Sequence, residues 1–111
     1  MKKILITGFT GFLGSNLIDV FSKKYELIGI THKKKSKQKI IQIQKNIRNL
    51  TINDIPNDIE SIIHLAANSD IKFCNENPQK CYQTNVDGTL NMLELSRKLD
   101  AKFLFMSTSH V

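Results

Sequence analysis

Three glycines, Gly8, Gly11 and Gly14, are the residues whose type and spacing point most directly to chemistry in this sequence. An apolar run that predicts a buried strand, Lys3–Thr7, precedes them, and an amphipathic pattern that predicts a helix extends from residue 12 to about residue 23. Gly8 allows a sharp turn out of the strand, Gly11 allows the backbone to approach a pyrophosphate, and Gly14 allows the helix to pack closely on the sheet. Because a helix N-terminus also offers amide hydrogens and a positive dipole, the turn predicts a site for the phosphates of a dinucleotide.

Strands and helices alternate along the rest of the chain. Apolar runs at residues 27–31, 40–43, 61–66 and 102–107 predict four further strands. Asn77 and Pro78 predict the start of a helix that ends near Leu99, because asparagine caps a helix and a first-turn proline has no amide hydrogen to satisfy. This alternation predicts an α/β fold, a Rossmann-like doubly wound parallel sheet of about five strands in a three-layer α/β/α arrangement. We expect the sheet to be incomplete, since the sequence stops just after the fifth strand.

The composition limits the class of protein. The 111 residues are 41% hydrophobic and 23% charged, which is typical of one globular domain. No apolar run approaches the roughly 20 residues that span a bilayer, and Ile4–Ile6 is too short for a signal peptide, so we expect a cytoplasmic protein without a membrane partner. Cys74 and Cys81 lie seven residues apart, a spacing that matches no usual zinc site, and we predict no bound metal.

A cluster of lysines gives the chain much of its net charge of +6. Its members are Lys33, Lys34, Lys35, Lys37 and Lys39. Aromatic residues that could stack on bases do not interleave with them, so the run predicts a solvated loop and no nucleic-acid partner. A basic interaction domain that uses these lysines stays open as an alternative hypothesis.

Four motifs in order along the chain resemble one family. They are TGFTGFLGSNL from residue 7, IIHLAA at residues 62–67, NPQKCYQTNVDGTLNMLE at residues 77–94 and FMSTSHV at residues 105–111. Together they resemble the extended short-chain dehydrogenase/reductases, the NAD-dependent epimerase/dehydratase family that acts on nucleotide sugars. The segment at residues 69–78 is also similar to dTDP-dehydrorhamnose reductases, so the epimerase, dehydratase and reductase branches stay open.

The resemblance implies a set of cofactor-binding residues. They are Gly8, Thr10, Gly11, Phe12, Leu13, Gly14, Thr31, His32, Lys33, Asn46, Ile47, Leu65, Ala66, Ala67 and Asn85. Thr31 stands where the family carries an aspartate for the ribose hydroxyls. Without a carboxylate to repel it, a 2′-phosphate can pair with His32 or Lys33, which favours NADP over NAD. The carbonyl oxygen of Asn46 can accept a hydrogen bond from the adenine amino group.

The resemblance also implies where catalysis occurs. Thr108 would hold the reacting substrate oxygen, Ser109 would contact the sugar, and His110, which replaces a family glutamate, would exchange protons. His64, inside a predicted strand, is expected to be a packed histidine. The Tyr-x-x-x-Lys pair on which the family's chemistry depends is missing, because neither tyrosine of the chain has a lysine four residues later.

Two principal hypotheses follow. In the first, residues 1–111 form the N-terminal NAD(P)-binding part of a nucleotide-sugar epimerase, dehydratase or reductase, and the Tyr/Lys segment and the substrate domain are absent. This part would be inactive alone, and the hypothesis leaves open a homodimer of the full-length protein. In the second, the chain is a non-catalytic NAD(P)-binding module or redox sensor.

Overall fold

The fold is built on one parallel sheet. The computed structural model describes residues 1–9, 12–31, 40–65 and 75–106. Its strands are β1 (Lys3–Thr7), β2 (Glu26–Thr31), β3 (Ile41–Gln44), β4 (Ile59–Leu65) and β5 (Lys102–Met106). Within these residues the strand order is β3-β2-β1-β4-β5, and every neighbouring pair is parallel. The predicted doubly wound α/β fold is confirmed.

The helices cover both faces of the sheet. Helix α1 (Phe12–Phe21) follows β1, a short 3₁₀ helix spans Ile52–Asp54, and the chain returns from β4 to β5 through α2 (Pro78–Tyr82) and α3 (Gly88–Leu99). A π-helical segment, Gln83–Asp87, joins α2 to α3, and the helical backbone angles at its two ends make residues 78–99 one continuous helix. The predicted helix from Pro78 to Leu99 is confirmed, but its π-helical centre was not predicted.

Alternation along the strands separates two apolar cores. Leu5, Ile28 and Ile62 point to the face covered by α3, where Met92 and Leu95 pack against them. The opposite face is covered by α1, and its buried residues are Ile4, Ile6, Phe9, Ile18, Leu27, Ile63 and Leu65. Nearly continuous apolar strands are what a sheet buried on both faces requires.

Three strands differ in their bounds from the predictions: β2 begins one residue earlier, at Glu26, and the differences in the other two come from pairing with a neighbour. The fourth strand begins at Ile59 rather than at residue 61, because Ile59 is buried and pairs with Lys3 next to an irregularity in the β1–β4 register. The third strand is Ile41–Gln44, one residue later than predicted, and pairs with Ile28–Thr31 of β2. Pairing with a neighbour sets both boundaries.

The sequence places Tyr82, Val86, Leu90 and Leu93 on one stripe of the long helix, and three of these four side chains face outward. Tyr82, Leu90 and Leu93 are 66%, 57% and 48% exposed, while the face that packs on the sheet carries Met92 and Leu95. The outer strand β5 likewise exposes half of Phe105.

Candidate functional site

The carboxyl ends of the strands meet at one edge of the sheet. Thr7, the last residue of β1, lies beside Ile30 of β2 on one side and beside His64 of β4 on the other. The chain leaves β1 toward β2 through α1, and β4 pairs with the opposite edge of β1. In open α/β sheets, ligands bind in the crevice outside such a reversal of strand order.

Gly8 makes the turn at this crevice. Its φ is +67°, a left-handed conformation that side chains other than glycine rarely adopt. A Cβ on Gly8 would also lie 2.9 Å from the carbonyl oxygen and 3.0 Å from the Cβ of Leu65. The sharp turn predicted at Gly8 is confirmed, and its backbone approaches the end of β4 as closely as a glycine allows.

The buried side chain of Phe9 holds the same turn against the core. Its side chain is fully buried, and its ring occupies the space above Gly29 of β2, where a Cβ would overlap the ring and lie 2.9 Å from Ile40 Cδ1. A Cβ on Gly14 would overlap the backbone of Phe9, including its carbonyl oxygen. Because Gly14 has no side chain, α1 can pack against the backbone of the turn. Because Gly29 has none, the Phe9 ring can pack on β2.

Thr31 ends β2 with an unpaired hydroxyl. Its side chain is 5% exposed, and its Oγ1 has no hydrogen-bond partner among the residues that the structure describes. By alternation it shares the α1 face with Gly29, one strand away from the Gly8 turn. A threonine hydroxyl in this position can both donate and accept a hydrogen bond at the end of β2.

The segment after β3 is braced against β2 and α3. The amide of Lys45 donates to the carbonyl oxygen of Thr31 at 2.7 Å, and the Lys45 ammonium donates to Asp54 Oδ2 at 2.8 Å. This hydrogen bond from Lys45 holds the pKa of Asp54 below its usual range. The Asn91 amide donates to the carbonyl oxygens of Ile47 and Leu50 at 2.6 and 2.9 Å.

This bracing positions the predicted pair Asn46 and Ile47. Asn46 Oδ1 accepts the amide hydrogen of Arg48 at 3.0 Å, which fixes the orientation of this side chain. Ile47 packs against Gly88 of α3, where a Cβ would lie 2.5 Å from Ile47 Cδ1. Gly88 thus lets the long helix approach the segment that follows β3.

A polar network lies between β1, β4 and α3. His64 is fully buried, with Nδ1 2.5 Å from Thr7 Oγ1 and Nε2 2.9 Å from Thr89 Oγ1. The rings of Phe103 and Phe105 flank the imidazole at centroid distances of 6.1 and 5.7 Å. Burial lowers the pKa of His64, because the loss of contact with water disfavours the charged imidazolium. The expected packed histidine is what the structure contains.

We predict that this histidine makes stability depend on pH. Because its pKa is lowered in the folded chain, the unfolded chain binds more protons as the pH falls from about 7 to about 5.5, and the free energy of unfolding falls by up to about 1.4 kcal/mol per pH unit. Urea denaturation across this range should show a smaller slope for His64→Gln. Equal slopes for the two proteins would contradict the prediction.

The structure brings together only part of the predicted site. Gly8, Gly14, Thr31, Leu65, Asn46 and Ile47 are placed as described above. Phe12 and Leu13 lie in the first turn of α1, and Asn85 lies in the π-helical segment. Nine predicted site residues lie outside the described part of the chain: Thr10, Gly11, His32, Lys33, Ala66, Ala67, Thr108, Ser109 and His110.

Sequence reasoning missed the contributions of Phe9, Gly29, Thr89 and Asn91. Gly29 carried a signal, because a glycine inside a strand often marks a close approach. Among the described residues, no group of three or more histidine, cysteine or acidic side chains could hold a metal ion. The helices in this part of the chain are all too short or too polar to cross a membrane.

The sequence matches one family model and many curated proteins. Residues 4–111 match the model of the NAD dependent epimerase/dehydratase family. UDP-glucuronic acid decarboxylase 1 of Arabidopsis thaliana is 35% identical over 116 residues, which cover 98% of this chain and 27% of that protein. The chain thus spans about a quarter of the length of this curated relative.

Solved structures resemble the fold over most of the chain. UDP-glucose 4-epimerase of Thermotoga maritima, solved with UDP-glucose, has a TM-score of 0.77 and 26% identity, covering 96% of this chain and 38% of that one. A monomeric L-threonine 3-dehydrogenase from a metagenome has a TM-score of 0.76 and 29% identity, covering 90% and 34%. The glycine turn at the reversal of strand order and the match over residues 4–111 agree, and the chain belongs to the NAD-dependent epimerase/dehydratase family.

Proposed function

We propose that this chain is the dinucleotide-binding part of an enzyme that passes a hydride between a sugar carbon of a nucleotide sugar and a nicotinamide. The observation that carries the proposal is the left-handed turn at Gly8, packed against Leu65 where the strand order reverses. The names of the relatives, a UDP-glucuronic acid decarboxylase and a UDP-glucose 4-epimerase, support a UDP-sugar as substrate.

The described residues fit such a cofactor. The Gly8 turn and the first turn of α1 would receive the pyrophosphate, because glycine leaves the backbone accessible and the helix begins there. The unpaired Thr31 hydroxyl would bond to the adenosine ribose, and Asn46 and Ile47 would contact adenine. When bound, the nicotinamide supplies the acceptor or donor of the hydride.

Catalysis would fall to residues at and beyond the end of β5. Thr108 would donate a hydrogen bond to the reacting oxygen, Ser109 would contact the sugar, and His110 would exchange a proton. A tyrosine and lysine spaced Tyr-x-x-x-Lys, together with a substrate domain, would complete the enzyme beyond residues 1–111. Without them the chain would bind the dinucleotide but not turn over substrate, and a cytoplasmic location also remains a prediction.

The test uses the protein expressed from the complete gene. We expect it to oxidise, reduce or epimerise a UDP-sugar in a way that depends on nicotinamide dinucleotide, with L-threonine assayed in parallel because of the dehydrogenase likeness. Dinucleotide binding without a Tyr-x-x-x-Lys pair and without turnover would favour the non-catalytic module or redox sensor. Turnover of L-threonine in place of UDP-sugars would overturn the substrate class.

We further propose that NADP is preferred to NAD, and predict that Thr31→Asp reverses this preference. A carboxylate at the end of β2 would repel the 2′-phosphate of NADP and accept hydrogen bonds from the ribose hydroxyls of NAD. Calorimetric titration should show NADP affinity falling about tenfold or more relative to NAD, since two like charges about 4 Å apart repel by on the order of 1–4 kcal/mol between bulk water and a protein surface.

Two controls separate charge from structure. Asn57→Asp adds the same charge before β4, at the opposite edge of the sheet, and should leave the preference unchanged. Thr31→Val removes the unpaired hydroxyl without adding charge, so it should raise the free energy of unfolding while weakening both dinucleotides alike. Tighter binding of NAD than of NADP by the unsubstituted chain would refute the NADP preference.

The homodimer also remains a proposal. The exposed stripe of Tyr82, Leu90 and Leu93 supplies an apolar face on which a second copy could pack. Sedimentation equilibrium of the full-length protein should give a dimer that Leu90→Lys with Leu93→Lys dissociates, and a monomeric unsubstituted protein would reject it.

A further inference from the structure

We propose that His64 is a positioning residue for dinucleotide binding, which ties the glycine turn to the long helix through the hydroxyls of Thr7 and Thr89. The inference rests on the proposed function, because it assigns these three side chains a role in shaping the site proposed there. None of the three is expected to touch the cofactor.

Each member of the network is the chain neighbour of a residue in the wall of the site. Thr7 immediately precedes Gly8, whose left-handed φ makes the turn. His64 immediately precedes Leu65, whose carbonyl oxygen and Cβ lie against Gly8. A displacement of either strand end would therefore be transmitted directly to the turn.

The same relation holds on the helix. Thr89 follows Gly88, whose close approach to Ile47 sets the distance between α3 and the segment after β3. The hydrogen bond between His64 and Thr89 fixes this part of α3 relative to β4, and Asn91 fixes it relative to Ile47 and Leu50. The network thus joins the pyrophosphate side of the site to its adenine side.

The chemistry of the three side chains suits a rigid connection. A neutral imidazole has one donor and one acceptor nitrogen, and a threonine hydroxyl can fill either role, so both bonds form whichever nitrogen carries the proton. Neighbouring positions on the same face of the strands carry Leu5 and Ile62, and an apolar side chain would fill the space without directional bonds. Two directional hydrogen bonds to one buried ring instead favour one arrangement of the elements around it.

The test compares Thr89→Val with Ser96→Ala on the same helix. Ser96 is buried and its Oγ donates to the carbonyl oxygen of Leu93 at 2.6 Å, so its loss weakens α3 without touching His64. We expect Thr89→Val to weaken dinucleotide affinity about five- to tenfold, Ser96→Ala less than about twofold, and Thr89→Ser, which keeps the hydroxyl, to bind like the unsubstituted chain. Equal losses in Thr89→Val and Ser96→Ala would overturn the inference.

Hydrogen exchange gives a readout without dinucleotide. Thr89→Val should speed exchange of the Gly8 and Phe9 amides, whereas Ser96→Ala should affect only amides of α3. Thr7→Val should weaken binding by a similar factor, and the Thr7→Val/Thr89→Val pair should lose less than the product of the two factors, because both act through one imidazole. A loss of affinity in the double variant equal to the product of the two single losses would overturn the inference.

Substitutions of His64 itself provide a second test. Should Thr89→Val fail to fold, His64→Gln, whose amide can reach toward Thr89, is compared with His64→Leu, and the glutamine variant should bind several-fold more tightly. Equal binding by these two variants would overturn the inference. If the unsubstituted chain binds neither dinucleotide, the proposed function and this inference are both overturned. If it binds but the variants differ from the expected order of affinities, only the inference is overturned.

Discussion

Gly14→Ala is expected to lower dinucleotide affinity about 100-fold, the effect of losing about 3 kcal/mol of hydrogen bonding to a charged phosphate. The added Cβ would overlap the carbonyl oxygen and Cα of Phe9, and backbone atoms cannot rotate aside as a flexible side chain can. The N-terminus of α1 would therefore move away from the Gly8 turn, and the two would no longer face one phosphate group together. Calorimetric titration with NADP and NAD measures the loss.

The matched control lies on the same helix. Asp19→Ala changes an exposed side chain of α1 and should leave affinity unchanged. Circular dichroism should show that Gly14→Ala retains its helices and sheet, so that the loss belongs to the site. Affinity within about twofold of the unsubstituted chain would show that the contact between α1 and the turn is not needed for binding.

The second large effect concerns the anchor beneath the turn. Phe9→Ala should lower the free energy of unfolding by about 3–5 kcal/mol, because it empties a fully buried site. Gly29→Ala should lower it by about 1–3 kcal/mol, because its Cβ would enter the space of the Phe9 ring. Urea denaturation measures both changes.

A compensating pair tests this packing. Adding Phe9→Leu to Gly29→Ala removes the ring atoms that the new Cβ would meet, so the pair should recover part of the stability that Gly29→Ala alone loses. Phe105→Ala, which removes a half-exposed ring from β5, should cost much less than Phe9→Ala. Additive losses in the Phe9→Leu/Gly29→Ala pair would argue against direct contact between these two positions.

Much of the fold could be predicted because its signals are local. The bounds of β1 match the predicted run Lys3–Thr7. The apolar segment ends at Gly8, and the left-handed φ of this glycine turns the chain out of the strand. The long helix also begins at the predicted Pro78. The start of β4 was misplaced because Ile59 joins the sheet through its pairing with Lys3, a contact between residues far apart in sequence.

The sequence pattern did not reveal which side of the long helix packs on the sheet. Spacing alone places Tyr82, Leu90 and Leu93 on one side of an α-helix, but it does not say which side packs on the sheet. The π-helical segment Gln83–Asp87 winds more residues into a turn than an α-helix does and so changes the rotation of everything after it. The side that carries Met92 and Leu95 then packs on the sheet.

The sequence by itself determined the family, the alternation of strands and helices, and the glycine turn that would receive a dinucleotide. These follow from residues close together in the chain, where glycine spacing and apolar periodicity act directly on the backbone. Only the tertiary structure decided that the Phe9 ring fills the space left by Gly29, that the Thr31 hydroxyl is buried without a partner among the described residues, and that His64 joins Thr7 to Thr89. Those relations depend on which strand lies beside which and on the face to which each side chain points, and such long-range pairing is not encoded in any one segment.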